Sequence, residues 1–287
     1  MALNLLSSSD IHSSCRQRIE ACELWLRMLI HDNLYATFGA DYVNKAEING
    51  NDVFNIKMKA RIQDYCFADP HRYKRPVDTL VFDSLGIILG KEGIYNQLFR
   101  EVFNTHFPCG ARQIKHIISI IANHRNALYH ANASTLSLHD AEQVLCYCSD
   151  IIFAIKEHYT KMSQNDKFPA PSFTKYLDST GNIHYVNDPR SHLIFENTTL
   201  YMGDTVRFEV EVDSSYSPEE YDIIWRIKGA EIAAGPAFFL TLTTAHVGMK
   251  FGIQADLQSK NTWHRIDETN DAILTIEYEV LPLPRSA

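Results

Sequence analysis

The apolar residues of this chain change their period once. Up to about residue 162 they recur every three to four positions; beyond about residue 172 they alternate with polar ones. A period near 3.6 buries one stripe of a helix, and a period of two buries one face of a strand. One type of secondary structure cannot satisfy both, so the chain should fold as a helical part followed by a β part. Its 287 residues suit two domains at roughly 100–200 residues each. The expected layout is an all-α helical bundle over residues 1–163, a linker over 164–172 and an antiparallel β-sandwich over 173–287. The linker is polar and holds Pro169 and Pro171 close together.

Within the first part, Ser13 or Ser14 is expected to cap a helix running to about Thr37, with Ile19, Cys22, Leu26, Leu29 and Ile30 as its stripe. Gly39 and the stretch around Asn49, Gly50 and Asn51 break the pattern. Further helices are expected over 54–66, over 77–89 with Pro76 opening it, over 93–105 as one bent or two short pieces, and from 112 to near His130. Ser137 then caps a last helix to about Met162. In the second part, strands are expected over 205–212, 221–227, 238–243, 250–257 and 273–280.

Charge narrows the function. The net charge is -8, with 17 Lys and Arg against 18 Asp and Glu up to Asp166, and 10 against 17 beyond it. The acidic second part is a poor electrostatic match for nucleic acid, so nucleic acid chemistry belongs in the first part. Nine of the 13 histidines also lie there. The six cysteines (Cys15, Cys22, Cys66, Cys109, Cys146, Cys148) form no C-x-x-C pair and no zinc-type spacing. They read as reduced thiols of a cytoplasmic protein. The start carries no basic, apolar leader, and no apolar run approaches the roughly 20 residues that span a bilayer. Neither secretion nor a membrane partner is expected.

The most informative stretch is Asn123-His124-Arg125-Asn126-Ala127-Leu128-Tyr129-His130, at the end of an isoleucine-rich helix. By itself, a helix C-terminus favours Arg and His through the macrodipole and unpaired carbonyls. Residues four apart share a face, which puts Asn126 under His130 and Arg125 under Tyr129. Arg125 and His130, five apart, lie about 140° from one another around a straight axis. They converge on one phosphate only if the helix ends or kinks between them, or if a symmetry-related copy supplies the second set.

The segment Arg125-Asn126-Ala127-Leu128-Tyr129-His130 resembles the R-N-x-x-x-H form of the R-x4–6-H motif of the HEPN (higher eukaryotes and prokaryotes nucleotide-binding) superfamily. The setting is similar too: the segment ends an isoleucine-rich helix, and a Ser-capped helix follows after a short loop. So is the opening helix from Cys15 to Leu34, running into Tyr35-Ala36-Thr37-Phe38-Gly39. The resemblance covers roughly the first 160 residues. It implies a metal-independent endoribonuclease, active as a homodimer in which two motif helices meet at a two-fold axis. His130 is then the general acid/base for the ribose 2′-hydroxyl or the leaving 5′-oxygen. Arg125 binds the scissile phosphate and stabilises its developing charge, and Asn126 bonds the phosphate or the imidazole. The implied products are a 2′,3′-cyclic phosphate and a 5′-hydroxyl, with no metal or other cofactor. In HEPN toxins paired with a nucleotidyltransferase antitoxin the motif continues as H-x-Y; here Ala131 and Asn132 follow His130. An alternative keeps the fold as a non-catalytic dimeric adaptor or a nucleotide-binding sensor.

Lys115, His116 and His124 on the same helix could extend a phosphate track, but an exposed polar face is the better reading. The loop from His71 to Arg75, with Arg72, Lys74 and Arg75 around Tyr73, could grip RNA by charge and stacking; its other reading is a solvated loop. The β part resembles an immunoglobulin-like sandwich in its strand pattern. Trp225 sits in mid-strand, and Thr244-Ala245-His246-Val247-Gly248-Met249-Lys250-Phe251 forms a turn and strand, but the usual cysteine pair is missing. Trp263-His264-Arg265 reads as a half-buried strand end; its other reading is a ligand contact, since an aromatic beside Arg and His suits a nucleotide or peptide. Such an appendage on a toxic nuclease of microbial antiphage defence or a toxin–antitoxin pair suits a sensor with a protein or nucleotide ligand.

Overall fold

Capping chemistry sets where the first helix begins. The computed structural model describes residues 7–70, 73–129, 136–186 and 188–283. Helix α1 spans Ser8–Phe38, capped by Ser7, whose hydroxyl accepts the Asp10 N–H at 3.2 Å. The cap is therefore Ser7 and not Ser13 or Ser14: Ser7 has a carboxylate three residues on, which also takes its hydroxyl proton at 2.6 Å. Cys15, Ile19, Cys22, Leu26, Leu29 and Ile30 are all buried, as the spacing requires. Gly39, at φ 75°, ends the helix by donating to the Tyr35 carbonyl.

A short helix α2 (Tyr42–Lys45) precedes a hairpin of strands β1 (Glu47–Ile48) and β2 (Asn51–Asp52). Asn49 and Gly50 turn it with positive φ at both positions, the type the Asn-Gly pair favours. The helical unit is thus not purely α. Helix α3 (Ile56–Ala68) is capped by the Asn55 side chain. Beyond it, the helix expected from Pro76 to Leu89 is broken: a 3-10 turn covers Pro76–Thr79 and α4 covers only Phe82–Leu89. The carbonyls between them are claimed by arginines. The Leu80 oxygen accepts from Arg27 Nη2 at 2.6 Å, and the Thr79 oxygen from Arg61 Nε at 2.7 Å.

Helices α5 (Glu92–Ile94) and α6 (Arg100–Phe103) are joined by a π turn over Tyr95–Phe99. Helix α7 spans Ala111–Tyr129 and buries Ile114, Ile117, Ile118 and Ile121. Gly86 of α4 lets α7 close in, since a Cβ there would stand 2.6 Å from Ile118 Cγ2. Helix α8 (Leu138–Lys161) starts at the Ser137 cap, with Asp140 completing a capping box. It packs along α1, α6 and α7.

The chain divides into two compact units, residues 1–169 and 170–287. The second holds strands β3 (Phe173–Asp178), β4 (Ile183–Tyr185), β5 (Arg190–Tyr201), β6 (Thr205–Val212), β7 (Tyr221–Ile227), β8 (Ala230–Ala234), β9 (Ala237–Thr241), β10 (Gly248–Ser259) and β11 (Ala272–Leu281). They form a five-stranded sheet ordered β5-β11-β10-β7-β8 and a four-stranded sheet ordered β4-β3-β6-β9. Pairing is antiparallel except between β5 and β11, which run parallel. The wholly antiparallel expectation is corrected there.

A core of Tyr176, Val206 and Phe208 from one sheet and Trp225, Ile253 and Ile276 from the other joins the two faces. Trp225 is fully buried, and its indole N–H donates to the Gly235 carbonyl at 2.9 Å. Tyr176 and Tyr278 bond across the sheets at 2.6 Å, and the Tyr278 hydroxyl donates to the buried Asp178. Residues 260–271 form a loop and not a strand end; His264 Nδ1 lies 3.0 Å from the buried Asp271 carboxylate.

Candidate functional site

The polar end of α7 emerges from a helix whose other face is fully committed to the core. Along its last two turns Asn123 and Asn126 are exposed, while His124 and Arg125 are half-buried. His130 and Arg72 lie outside the described residues.

Arg125 is received by α1. Its Nη2 sits 3.6 Å from Glu23 Oε2, and Glu23 is buried. The other Glu23 oxygen accepts from Arg27 Nη2 at 2.6 Å. One buried carboxylate therefore serves two guanidinium groups, a pairing that offsets the cost of removing its charge from water. The Arg125 Nε is also buried and has no hydrogen-bond partner among the described residues.

Tyr129 completes the cluster. Two cations lie over its ring, with Arg125 Cζ 5.0 Å and Arg16 Cζ 4.3 Å from the centroid. Its hydroxyl donates to Glu20. Burial pushes the phenol up to about 12, and the hydrogen bond to Glu20 adds to the rise, so the ring is a neutral donor near pH 7. On α1, His12, Arg16, Glu20, Glu23 and Arg27 follow one another at three- or four-residue spacing and so share a face. His12 extends this stripe one turn beyond Arg16, and its buried Nε2 has no partner among the described residues.

His124 turns to the other neighbour. Its Nε2 stands 3.8 Å from Asp140 Oδ1, next to the cap of α8. The Ser137 hydroxyl holds the Asp140 carboxyl below the usual range, and His124 and His139 add to that pull. His124 is thereby tied to a helix cap.

The remaining expected contacts lie elsewhere. Lys115 is exposed ten residues before Arg125, about 15 Å along the axis, with its alkyl stem over Gly90. Lys74 is exposed. Arg75 is bound to Asp78, Nη2 to Oδ1 at 2.8 Å and Nε to Oδ1 at 3.1 Å, closing the turn that Pro76 opens. Arg75 also faces His31, whose pKa is lowered by burial first and by this cation second. His31 is eight residues from Glu23 on α1, about 12 Å. Arg75 therefore sits by a different stretch of α1 from the one that receives Arg125.

Glu20, Glu23 and Arg16 are the partners that the α7 segment alone did not reveal. The signal was Glu23, a carboxylate among the buried residues of α1 that needs a partner there. Among the described residues no group of three or more His, Cys, Asp or Glu is placed to hold a metal ion, and no helix is long and apolar enough to cross a membrane. No protein-family model matches the chain, and no curated protein matches it significantly.

Proposed function

We propose that the helical unit is a HEPN-type endoribonuclease that works as a homodimer without a metal. The β unit is read as an immunoglobulin-like sensor in a microbial antiphage-defence or toxin–antitoxin setting. The observation that carries this reading is the Arg125 guanidinium, steadied by Glu23 and the Tyr129 ring at the open end of α7, five positions before His130. Arg125 has five N–H donors in a rigid fork, so contact with Glu23 leaves others for a phosphate. Asn126 is exposed beside it with an amide able to donate and accept. In this reading His130 takes the proton of the ribose 2′-hydroxyl, whose oxygen attacks the adjacent phosphorus. The 5′-oxygen leaves with a proton, while Arg125 offsets the added negative charge. The facing α7 of a second copy supplies the rest of the site.

A second reading is favoured by the same ion pair. Arg125 and Tyr129 both bind carboxylates of α1, which is what an anchor for the helix end in a non-catalytic dimeric adaptor would do. Substitution His130→Ala separates the two. The nuclease reading requires RNA cleavage to vanish while folding and dimerisation persist; the adaptor reading requires either a loss of stability or no effect.

A further inference from the structure

The outer face of the five-stranded sheet carries a feature that core packing does not account for. Arg226, Gln254 and Thr275 stand side by side on β7, β10 and β11, opposite in phase to the buried Trp225, Ala255 and Leu274. Next to them a groove of 310 Å³ is bounded by the β7–β8 turn, by the 3-10 turn Thr244–His246 and by the start of β10. That size falls at the lower end of small-ligand sites.

Its lining is chemically one-sided. Arg226, Lys228 and Lys250 line it, and no Asp or Glu does, although residues beyond Asp166 hold 17 acids against 10 bases. Lys228 and Lys250 are exposed and make no ion pair among the described residues. Arg226 gives its Nε to Asp256 at 2.8 Å, which fixes the guanidinium while leaving other N–H groups available. Two further carboxylates stand outside the lining: Glu231, across from Arg226 on β8, and Glu277, which lies 3.1 Å from His192. Lys228 is held at φ 51° in a turn where Asn or Gly would sit without strain. At His246, Nδ1 accepts the Thr243 N–H at 3.0 Å, so in the neutral ring the proton is on Nε2.

The floor supplies the second, independent observation. Gly248 and Gly252 both lie in β10 and line the groove, neither has a positive φ, and a Cβ on either would meet nothing within 4 Å. Gly248 borders a shift of register in the β10–β11 pairing, but at Gly252 neither backbone conformation nor packing calls for glycine, which weakens a strand. What it provides is bare backbone that a ligand can approach closely. Ala245 and Val247 give the rim an apolar side.

We infer that this groove binds a small phosphate-bearing molecule of mononucleotide size, with the phosphate between Lys228, Lys250 and Arg226 and the rest of the ligand over Gly252. This deepens the reading of the β unit as the detecting part of the protein. It does not depend on RNA cleavage, because binding is measured without turnover.

The test is calorimetric titration of the full chain with AMP, GMP, ribose 5-phosphate, inorganic phosphate and adenosine. The expected result is a nucleotide dissociation constant on the order of 0.1–1 mM, with adenosine at least about tenfold weaker. Ribose 5-phosphate and inorganic phosphate show how much of the affinity the phosphate alone supplies. The double variant Lys228→Ala, Lys250→Ala should weaken the nucleotide by about tenfold or more. Gly252→Val should leave the circular-dichroism spectrum unchanged and the melting temperature at or above the parent's, because open space receives its side chain, yet remove binding. The inference is overturned if no phosphorylated ligand binds up to about 5 mM, if adenosine binds as well as AMP, or if both variants bind like the parent. RNA cleavage in the same preparation reports separately on the helical unit.

Discussion

Removing the Glu23 carboxylate perturbs the α7 end at its most informative point. It accepts a charge-assisted bond from Arg27 at 2.6 Å and a longer contact from Arg125 at 3.6 Å. The short bond is worth about 1.5–3 kcal/mol. The longer one, to an arginine that keeps 24% side-chain exposure, is screened to roughly 0.2–1 kcal/mol. Glu23→Ala also leaves two guanidinium groups without their counter-charge. We therefore expect a loss of about 2–4 kcal/mol in the helical unit. Glu23→Gln, which keeps an acceptor for Arg27, should cost about 1–2 kcal/mol. Urea unfolding followed by circular dichroism at the helical band measures both. A Glu23→Ala variant within about 0.5 kcal/mol of the parent, the range of an indifferent surface substitution, would refute the reasoning.

Gly86→Val should destabilise the helical unit by about 1–3 kcal/mol, because the new Cβ would stand 2.6 Å from Ile118 Cγ2; an unchanged urea midpoint would contradict the close approach of α4 and α7. In the β unit, burial alone would raise the Asp178 carboxyl, but hydrogen bonds from Thr180, Tyr278 and Asn182 together hold it below its usual value. A depressed folded-state value means that this stabilisation is complete above the unfolded carboxyl range, about pH 4, and is lost as pH falls further. Tyr278→Phe should cost about 1–3 kcal/mol and flatten that acid-side fall, measured as the melting temperature between about pH 6 and pH 3. Burial pushes the Cys15 thiol up to about 12, and Cys22 and Cys148 are fully buried beside it. Ellman's reagent should label the exposed Cys109 and Cys146 in the native protein and reach those three only on unfolding; native labelling of the three would contradict their placement.

What the sequence made legible follows from where one period held. The α7 and α8 stripes and strands β6 and β7 bury a single regular face, so their extents could be read from spacing; the α1 stripe was legible too, but its start at the Ser7 cap was not. Strand β5 could not, because its pairing with β11 shifts register near Glu277 and Glu279, which puts Leu193, Phe195 and Leu200 out of step. The break at Leu80 was invisible for a different reason: it depends on Arg27 reaching a carbonyl 53 residues away. At the candidate site, the motif placed Arg125 and Asn126 on a helix end but said nothing of α1. Only the folded chain brings Glu23 to Arg125, and Glu20 and Arg16 to Tyr129. Nor could local spacing show that Arg75 of the basic loop closes its own turn on Asp78.

The central claim is that Arg125 and His130 cleave RNA, and cleavage in EDTA tests it most directly. Purified full-length protein, incubated with mixed single-stranded RNA and tRNA in EDTA beside the His130→Ala variant, should cut the RNA and leave 2′,3′-cyclic phosphate ends, and the variant should leave it intact. Cleavage that persists undiminished in the variant, or that leaves 3′-hydroxyl ends, would contradict the account.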